Sequence, residues 1–126
     1  TASREMGKTK NEMIGEVKRG ASILRYYAQE GMRATGEVLP SANADKILYT
    51  KRVPLSVVAA ITPWNFPIGV PLLKPLPAIV SGNSVIWKPA SETPIIAYEM
   101  AKIFEEVGLP AGVVNIIFGA GNEIGT

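Results

Sequence analysis

The sequence predicts an α/β fold: the first βαβαβ half of a doubly wound parallel sheet, preceded by an amphipathic helix and a β arm. Three observations carry that prediction. Apolar residues make up 47% of the 126 residues and charged residues 19%, the balance of a globular chain with a real core. Three short Val- and Ile-rich runs, at 55–61, 84–87 and 113–118, alternate with two helix-length segments, the rhythm of parallel βαβ units. Before them, a helical periodicity over residues 3–34 gives way to an extended, turn-interrupted stretch. The expected organisation is a helical lead-in at 1–34, a β arm at 35–54 and a βαβαβ half at 55–126.

In the lead-in, Met6, Met13, Ile14, Val17, Ala21, Leu24, Tyr27 and Ala28 recur mostly at intervals of three and four or at two full turns, which predicts an apolar stripe. Lys8, Lys10, Glu12, Glu16, Lys18, Arg19 and Arg25 are then expected on the solvent side, with Gly31 to Arg33 closing the helix. From Thr35 the chain reads as extended. Val38 and Leu39 precede a polar turn, Ser41 to Asp45, and Ile47 to Thr50 follow it, the pattern of a hairpin.

Residues 53–73 contain no charge and, at about 1.5 Å per helical residue, would be long enough to span a bilayer. Pro54, Pro63, Pro67 and Pro71, with Asn65 in the middle of the run, argue against a membrane helix, because each proline removes a backbone donor. A buried strand at 55–61, a sharp turn and a helix from about Pro67 to Ser81 fit better. Pro71, Pro75 and Pro77 predict that this helix is kinked. Gly82 and Asn83 end it, and Ser84 to Trp87 form the second strand. Thr93 is the expected N-cap of the next helix, with Pro94 at its first position and Gly108 at its end. Val113 to Phe118 form the third strand.

Composition excludes several chemistries. With neither Cys nor His, these residues hold no disulfide, thiolate nucleophile or imidazole base, and no metal site is expected. Residues 1–52 hold ten Lys and Arg against six acids, and residues 53–126 hold three against five. The two signs are interleaved in both parts, so solvated helix faces and no nucleic-acid partner are expected. No membrane segment or apolar signal-peptide stretch is recognised, and a cytoplasmic protein is expected. The chain opens without an initiator Met and stops where a new helix would be starting. It is therefore expected to be a piece of a longer protein.

In a parallel sheet the carboxyl ends of the strands share one edge, where ligands bind. Here those ends carry Thr62, Pro63, Trp64 and Asn65, then Lys88 and Ser91, then the glycine-rich turn Gly119, Gly121 and Gly125. The G-x-G-x-x-x-G spacing is one residue longer than the dinucleotide fingerprint and is weak evidence by itself. By residue type alone, Asn65 either caps the following helix or serves a ligand. Lys88 is either a solvated charge or a donor to a ribose or phosphate.

The strings TPWNFP at 62–67, LLKPLPAIVSGNSVIWKPAS at 72–91 and VGLPAGVVNIIFGAGNEIG at 107–125, with EMGKTKNEMIGEV at 5–17, closely resemble the aldehyde dehydrogenase superfamily. The resemblance implies oxidation of an aldehyde to a carboxylic acid with NAD or NADP. A cysteine thiolate forms a thiohemiacetal, the cofactor takes a hydride, and a glutamate-activated water hydrolyses the thioester. Asn65 matches the asparagine whose amide stabilises the oxyanion. Thr62, Pro63 and Trp64 match the turn that passes the cofactor, Lys88 the lysine that reaches the adenosine ribose, and Gly121 and Gly125 the glycines beside the nucleotide. Ser91 stands where many NAD-preferring members carry a glutamate, with Glu92 next to it. A carboxylate repels a 2′-phosphate and a serine can donate to one, so NADP is expected to be accepted.

The resemblance also makes 35–54 an oligomerisation arm, giving a homodimer or homotetramer in the full-length protein. It places the cysteine and glutamate of the catalytic domain beyond Thr126, so this chain alone is expected to be inactive. The competing expectation is a non-catalytic nucleotide-binding or scaffold domain of the same fold.

Overall fold

The computed structural model describes residues 1–125, and Thr126, the last residue of the expected βαβαβ half, lies outside them. The lead-in forms two helices, α1 (Ala2–Met6) and α2 (Lys10–Glu30), where the periodicity predicted one. Gly7 ends α1 in the left-handed region at φ 79°, a conformation that glycine adopts without a Cβ penalty. Thr9 then starts α2 with a capping box. Its side chain accepts from the Glu12 amide at 3.3 Å, and the Glu12 carboxylate accepts from the Thr9 hydroxyl at 2.7 Å and from the Thr9 amide at 3.0 Å. These bonds, the hydroxyl's first, hold the Glu12 carboxyl below its ordinary pKa.

The buried face of α2 differs from the predicted stripe. Met13, Glu16 and Gly20 are buried, with Ile23 and Tyr27 against the core, whereas Ile14, Val17 and Leu24 are exposed. The reason is a close approach: a Cβ on Gly20 would stand 2.7 Å from Leu72 Cδ1, so α2 turns its smallest residue inward to reach the next helices.

The arm is a two-stranded antiparallel hairpin, β1 (Val38–Leu39) and β2 (Leu48–Tyr49), with Val38 opposite Tyr49. Both strands are exposed. The next strand, β3 (Val57–Ile61), begins two residues later than predicted. Ser56 lies at φ 86°, and the buried Asn83 side chain accepts from the amides of Leu55 at 2.6 Å and Ser56 at 3.1 Å. The predicted kink divides 67–81 into α3 (Gly69–Leu73) and α4 (Pro75–Val80), as prolines inside a helix require.

Two further strands, β4 (Ser84–Lys88) and β5 (Val114–Ile116), flank α5 (Pro94–Glu106), and α6 (Gly121–Ile124) follows. The sheet is parallel in the order β3-β4-β5, with Ile61 opposite Lys88 and Trp87 opposite Ile116. Thr93 precedes α5 as predicted, but its side chain makes no cap. The Glu5 carboxylate accepts from the amides of Ile95 at 2.6 Å and Ile96 at 2.9 Å, so an acid of α1 does the work at this positive helix end.

Leu72, Leu76, Ala97 and Met100 pack on Ala60, Val85 and Trp87, which puts α3, α4 and α5 on one face of the sheet. Val85 and Trp87 are 0% and 1% exposed, while Val57 and Ile61 on the opposite face are 59% and 65% exposed. The predicted parallel half is thus present, but β3 is not the buried strand expected. The second helical layer of a doubly wound sheet is not among the described residues. No helix among them is long and apolar enough to cross a membrane.

Candidate functional site

The three carboxyl ends meet at one edge of the sheet. The Thr62 amide donates to the Lys88 carbonyl at 3.1 Å and the Ile117 amide to the Trp87 carbonyl at 3.0 Å, carrying the pairing past the ends of β3 and β5. The Ser91 hydroxyl donates to the Gly119 carbonyl at 3.4 Å, tying the loop after β4 to the glycine-rich turn. Thr62, Lys88, Ser91 and Gly119 are thereby brought together.

Their side chains differ in what they have left to offer. Thr62 is buried and its hydroxyl accepts from the indole N–H of Trp87 at 2.9 Å, so its oxygen serves the core. Lys88 is half-buried, with its ammonium donating to the adjacent Pro89 carbonyl at 3.2 Å. Ser91, Pro63 and Trp64 are exposed. Gly121 has open space where a Cβ would stand, whereas a Cβ on Gly125 would meet the Gly121 carbonyl oxygen at 2.5 Å. Gly125 is therefore required by the chain's own turn, and Gly121 leaves room beside it.

Asn65 sits in the turn between β3 and α3 and is exposed. It does not cap the helix: the N-cap position of α3 is Ile68, and no side chain of that residue closes the first turn. The first amides of α3 go instead to Glu16, whose Oε1 accepts from Ile68 N–H at 2.8 Å and Gly69 N–H at 3.0 Å. Glu16 Oε2 pairs with Lys8 Nζ at 3.1 Å, the carboxylate side chain being 3% exposed. Lys8 Nζ also donates to the Asn65 carbonyl at 2.5 Å and lies 3.7 Å from the centre of the Phe66 ring, close enough for a cation–π contact.

Glu16 and Lys8 were placed on the solvent side by periodicity, and both belong to this site. Nothing local in the sequence marks them, because their partners are some fifty residues away. A groove of about 600 Å³ opens beside them, walled by Ile23, Phe66, Val70 and Leu73 with Arg19 at its side. A larger cavity of about 750 Å³ lies between α2 and the base of the arm, away from the carboxyl edge, and none of the expected site residues lines it.

The donor set fits a dinucleotide. A half-buried ammonium, an exposed hydroxyl and an open glycine position on the ligand-binding edge of a parallel sheet match ribose hydroxyls and phosphates in chemistry. Among the described residues no group of acids could hold a metal ion.

The chain is 54% identical over 124 residues to an alpha-ketoglutaric semialdehyde dehydrogenase of Bacillus subtilis, the match covering 98% of this chain and 25% of that protein. Among solved structures, an E. coli NADP-dependent enzyme superposes with a TM-score of 0.93 at 40% identity, covering 98% of this chain and 26% of the other. A betaine aldehyde dehydrogenase of Staphylococcus aureus, solved with NAD+, gives a TM-score of 0.93 at 33% identity, covering 98% and 25%. The chain thus spans about a quarter of the length of each of these three proteins. Since the model of the aldehyde dehydrogenase family matches residues 1–126 from end to end, the chain belongs to that family.

Proposed function

We propose that this chain is the cofactor-binding part of an NAD(P)-dependent aldehyde dehydrogenase that oxidises an aldehyde to a carboxylic acid, and that it supplies the amide that stabilises the oxyanion. The carrying observation is the exposed Asn65, held by its backbone and left with a side chain bonded to nothing among the described residues, beside the edge where Lys88 and Ser91 gather.

The bound cofactor supplies a hydride acceptor. Lys88 donates to the ribose hydroxyls, as the point charge of an ammonium suits. Ser91 donates from its hydroxyl to the same ribose or to a 2′-phosphate, and the turn at Thr62, Pro63 and Trp64 passes the cofactor, with Gly121 and Gly125 on its nucleotide side. The Asn65 amide donates to the carbonyl oxygen as negative charge grows on it, at a fixed point that needs no rearrangement during reaction. The chain has no cysteine, so the nucleophile and its glutamate partner come from the catalytic domain of the intact enzyme. The chain alone binds cofactor without turning over an aldehyde. The arm at 35–54, with its exposed Val38, Ile47 and Tyr49, pairs copies of the intact cytoplasmic enzyme into dimers or tetramers. Removing the arm is expected to lower the mass measured in solution, and an unchanged mass refutes that role.

The test of the reaction is Asn65→Ala in the intact protein, assayed with a panel of short aldehydes that includes alpha-ketoglutaric semialdehyde, the compound in the name of the Bacillus subtilis relative. The expected result is a fall of about 10²- to 10³-fold in kcat/KM with cofactor affinity unchanged. Wild-type kcat/KM in that variant overturns the assignment of Asn65. Cofactor binding with no oxidation of any aldehyde would favour a non-catalytic nucleotide-binding domain.

A further inference from the structure

We infer that Glu16 and Lys8 are positioning residues for Asn65: a carboxylate and an ammonium from the lead-in that fix both sides of the turn carrying the oxyanion donor. The inference rests on the proposed function and extends it to residues outside the sheet edge.

The turn from Asn65 to Gly69 is too short to fix itself, since α3 has five residues and no side-chain cap of its own. Its geometry is imposed from α2 and the residue before Thr9. Lys8 Nζ holds the carbonyl of Asn65 at 2.5 Å, and Glu16 Oε1 holds the amides of Ile68 and Gly69 at 2.8 and 3.0 Å. Glu16 Oε2 joins the two halves by its pair with Lys8 at 3.1 Å. Charge-assisted bonds of this kind are shorter and stiffer than neutral ones. A chain of them through a carboxylate 3% exposed leaves the backbone at Asn65 little freedom.

The side-chain amide of Asn65 makes no hydrogen bond among the described residues, and the residue is exposed. Electrostatic catalysis requires a donor held near its productive position, since displacement by about 1 Å can cost on the order of 10²-fold in rate, and a fixed backbone at Asn65 limits where its amide can reach. Among the described residues Lys8 meets the carboxyl edge at the Asn65 carbonyl, and neither Glu16 nor Lys8 bonds Thr62, Lys88, Ser91 or Gly119, so their influence on the reaction runs through the turn.

The experiment is a double-mutant cycle in the intact enzyme with the most active aldehyde of the panel and the tighter of NAD and NADP. Lys8→Met is expected to lower kcat/KM about 10- to 100-fold, with cofactor Kd changed less than about twofold. In the Asn65→Ala background the same substitution is expected to cost nothing further, because the group it positions is gone. Glu16→Gln keeps an oxygen for the two amides and loses the charge facing Lys8. It is expected to show a smaller loss, again vanishing without Asn65, and it carries the cycle if Lys8→Met fails to fold.

A purely structural role predicts losses that multiply in the double variant, or a weakened cofactor Kd with kcat/KM intact. Either result overturns the inference while leaving the function standing. Wild-type kcat/KM in Asn65→Ala overturns the inference together with the assignment of Asn65 on which it rests.

Discussion

The turn that carries Asn65 and the strand end that carries Lys88 lie at the same edge of the sheet, yet they are held in opposite ways. At the turn, backbone groups of residues 65, 68 and 69 are bound at 2.5 to 3.0 Å by Lys8 and Glu16, more than fifty residues distant in sequence. At the end of β4, among the described residues, Lys88 reaches only the carbonyl of its neighbour at 3.2 Å, and the Ser91 hydroxyl reaches Gly119 at 3.4 Å, a long contact for a hydroxyl donor. The first region has spent its charges on holding the backbone. The second has kept its donors available. An oxyanion donor must be held near one point in space, and the chain fixes the backbone beneath it while the side chain stays unbonded among the described residues. A long flexible dinucleotide is met by groups that give up a weak bond to gain a better one.

The largest effect that separates the two regions is on stability. Glu16→Ala leaves the amides of Ile68 and Gly69 without their acceptor and Lys8 without its carboxylate. Each unsatisfied donor costs about 1–3 kcal/mol, so the two amides together put the expected loss at roughly 2–6 kcal/mol. Ser91→Ala removes one long exposed bond and is expected to change stability by less than about 0.5 kcal/mol. Urea unfolding of both variants in the intact protein reads the difference, as a lower midpoint for Glu16→Ala at unchanged slope. Equal midpoints would break the contrast, since the turn would then be no more firmly held than the strand end.

Legibility in the sequence follows the same division. Thr93-Pro94 before α5 and the proline series that breaks 67–81 at Lys74 were readable because each is a local signal whose physics acts within a turn of its own position. The capping box of Thr9 and Glu12 is equally local, and the T-x-x-E spacing was there to mark the start of α2. Glu16 was not readable. Counting apolar residues assigns a charged residue to the solvent side, and only the approach of α2 to α3 through Gly20 turns it inward. Glu5 at the head of α5 failed for the same reason, its partners being ninety residues away. Asn65 lay between: spacing alone favours a helix cap over a ligand donor, the resemblance favours the donor, and the bonding of the α3 amides to Glu16 removes the cap. The bare face of β3 was illegible because alternate strand residues are apolar on both sides, and residues 53–73 carry no charge to distinguish them.

At the strand end the smaller effect falls on cofactor affinity. Lys88→Met removes a charged donor, a loss of about 1.5–3 kcal/mol where such a bond is made, and is expected to weaken NAD and NADP alike by about 10- to 100-fold. Stability should barely change, because among the described residues the ammonium holds only the carbonyl of the next residue. Ser91→Glu separates the two cofactors. A carboxylate beside the ribose accepts from its hydroxyls and repels a 2′-phosphate, so NADP affinity is expected to fall about tenfold or more while NAD affinity holds or rises. The exposed Glu92 stands next to it and supplies the control. If Glu92 already contributes the missing carboxylate, Glu92→Gln lowers NAD affinity and the unsubstituted enzyme shows a strong NAD preference, which overturns the reading of Ser91. If Ser91 decides, Glu92→Gln leaves the ratio of the two affinities unchanged. Isothermal titration of the intact enzyme with each cofactor distinguishes these outcomes, and a loss of stability in Lys88→Met as large as that of Glu16→Ala would show that this strand end too is part of the frame.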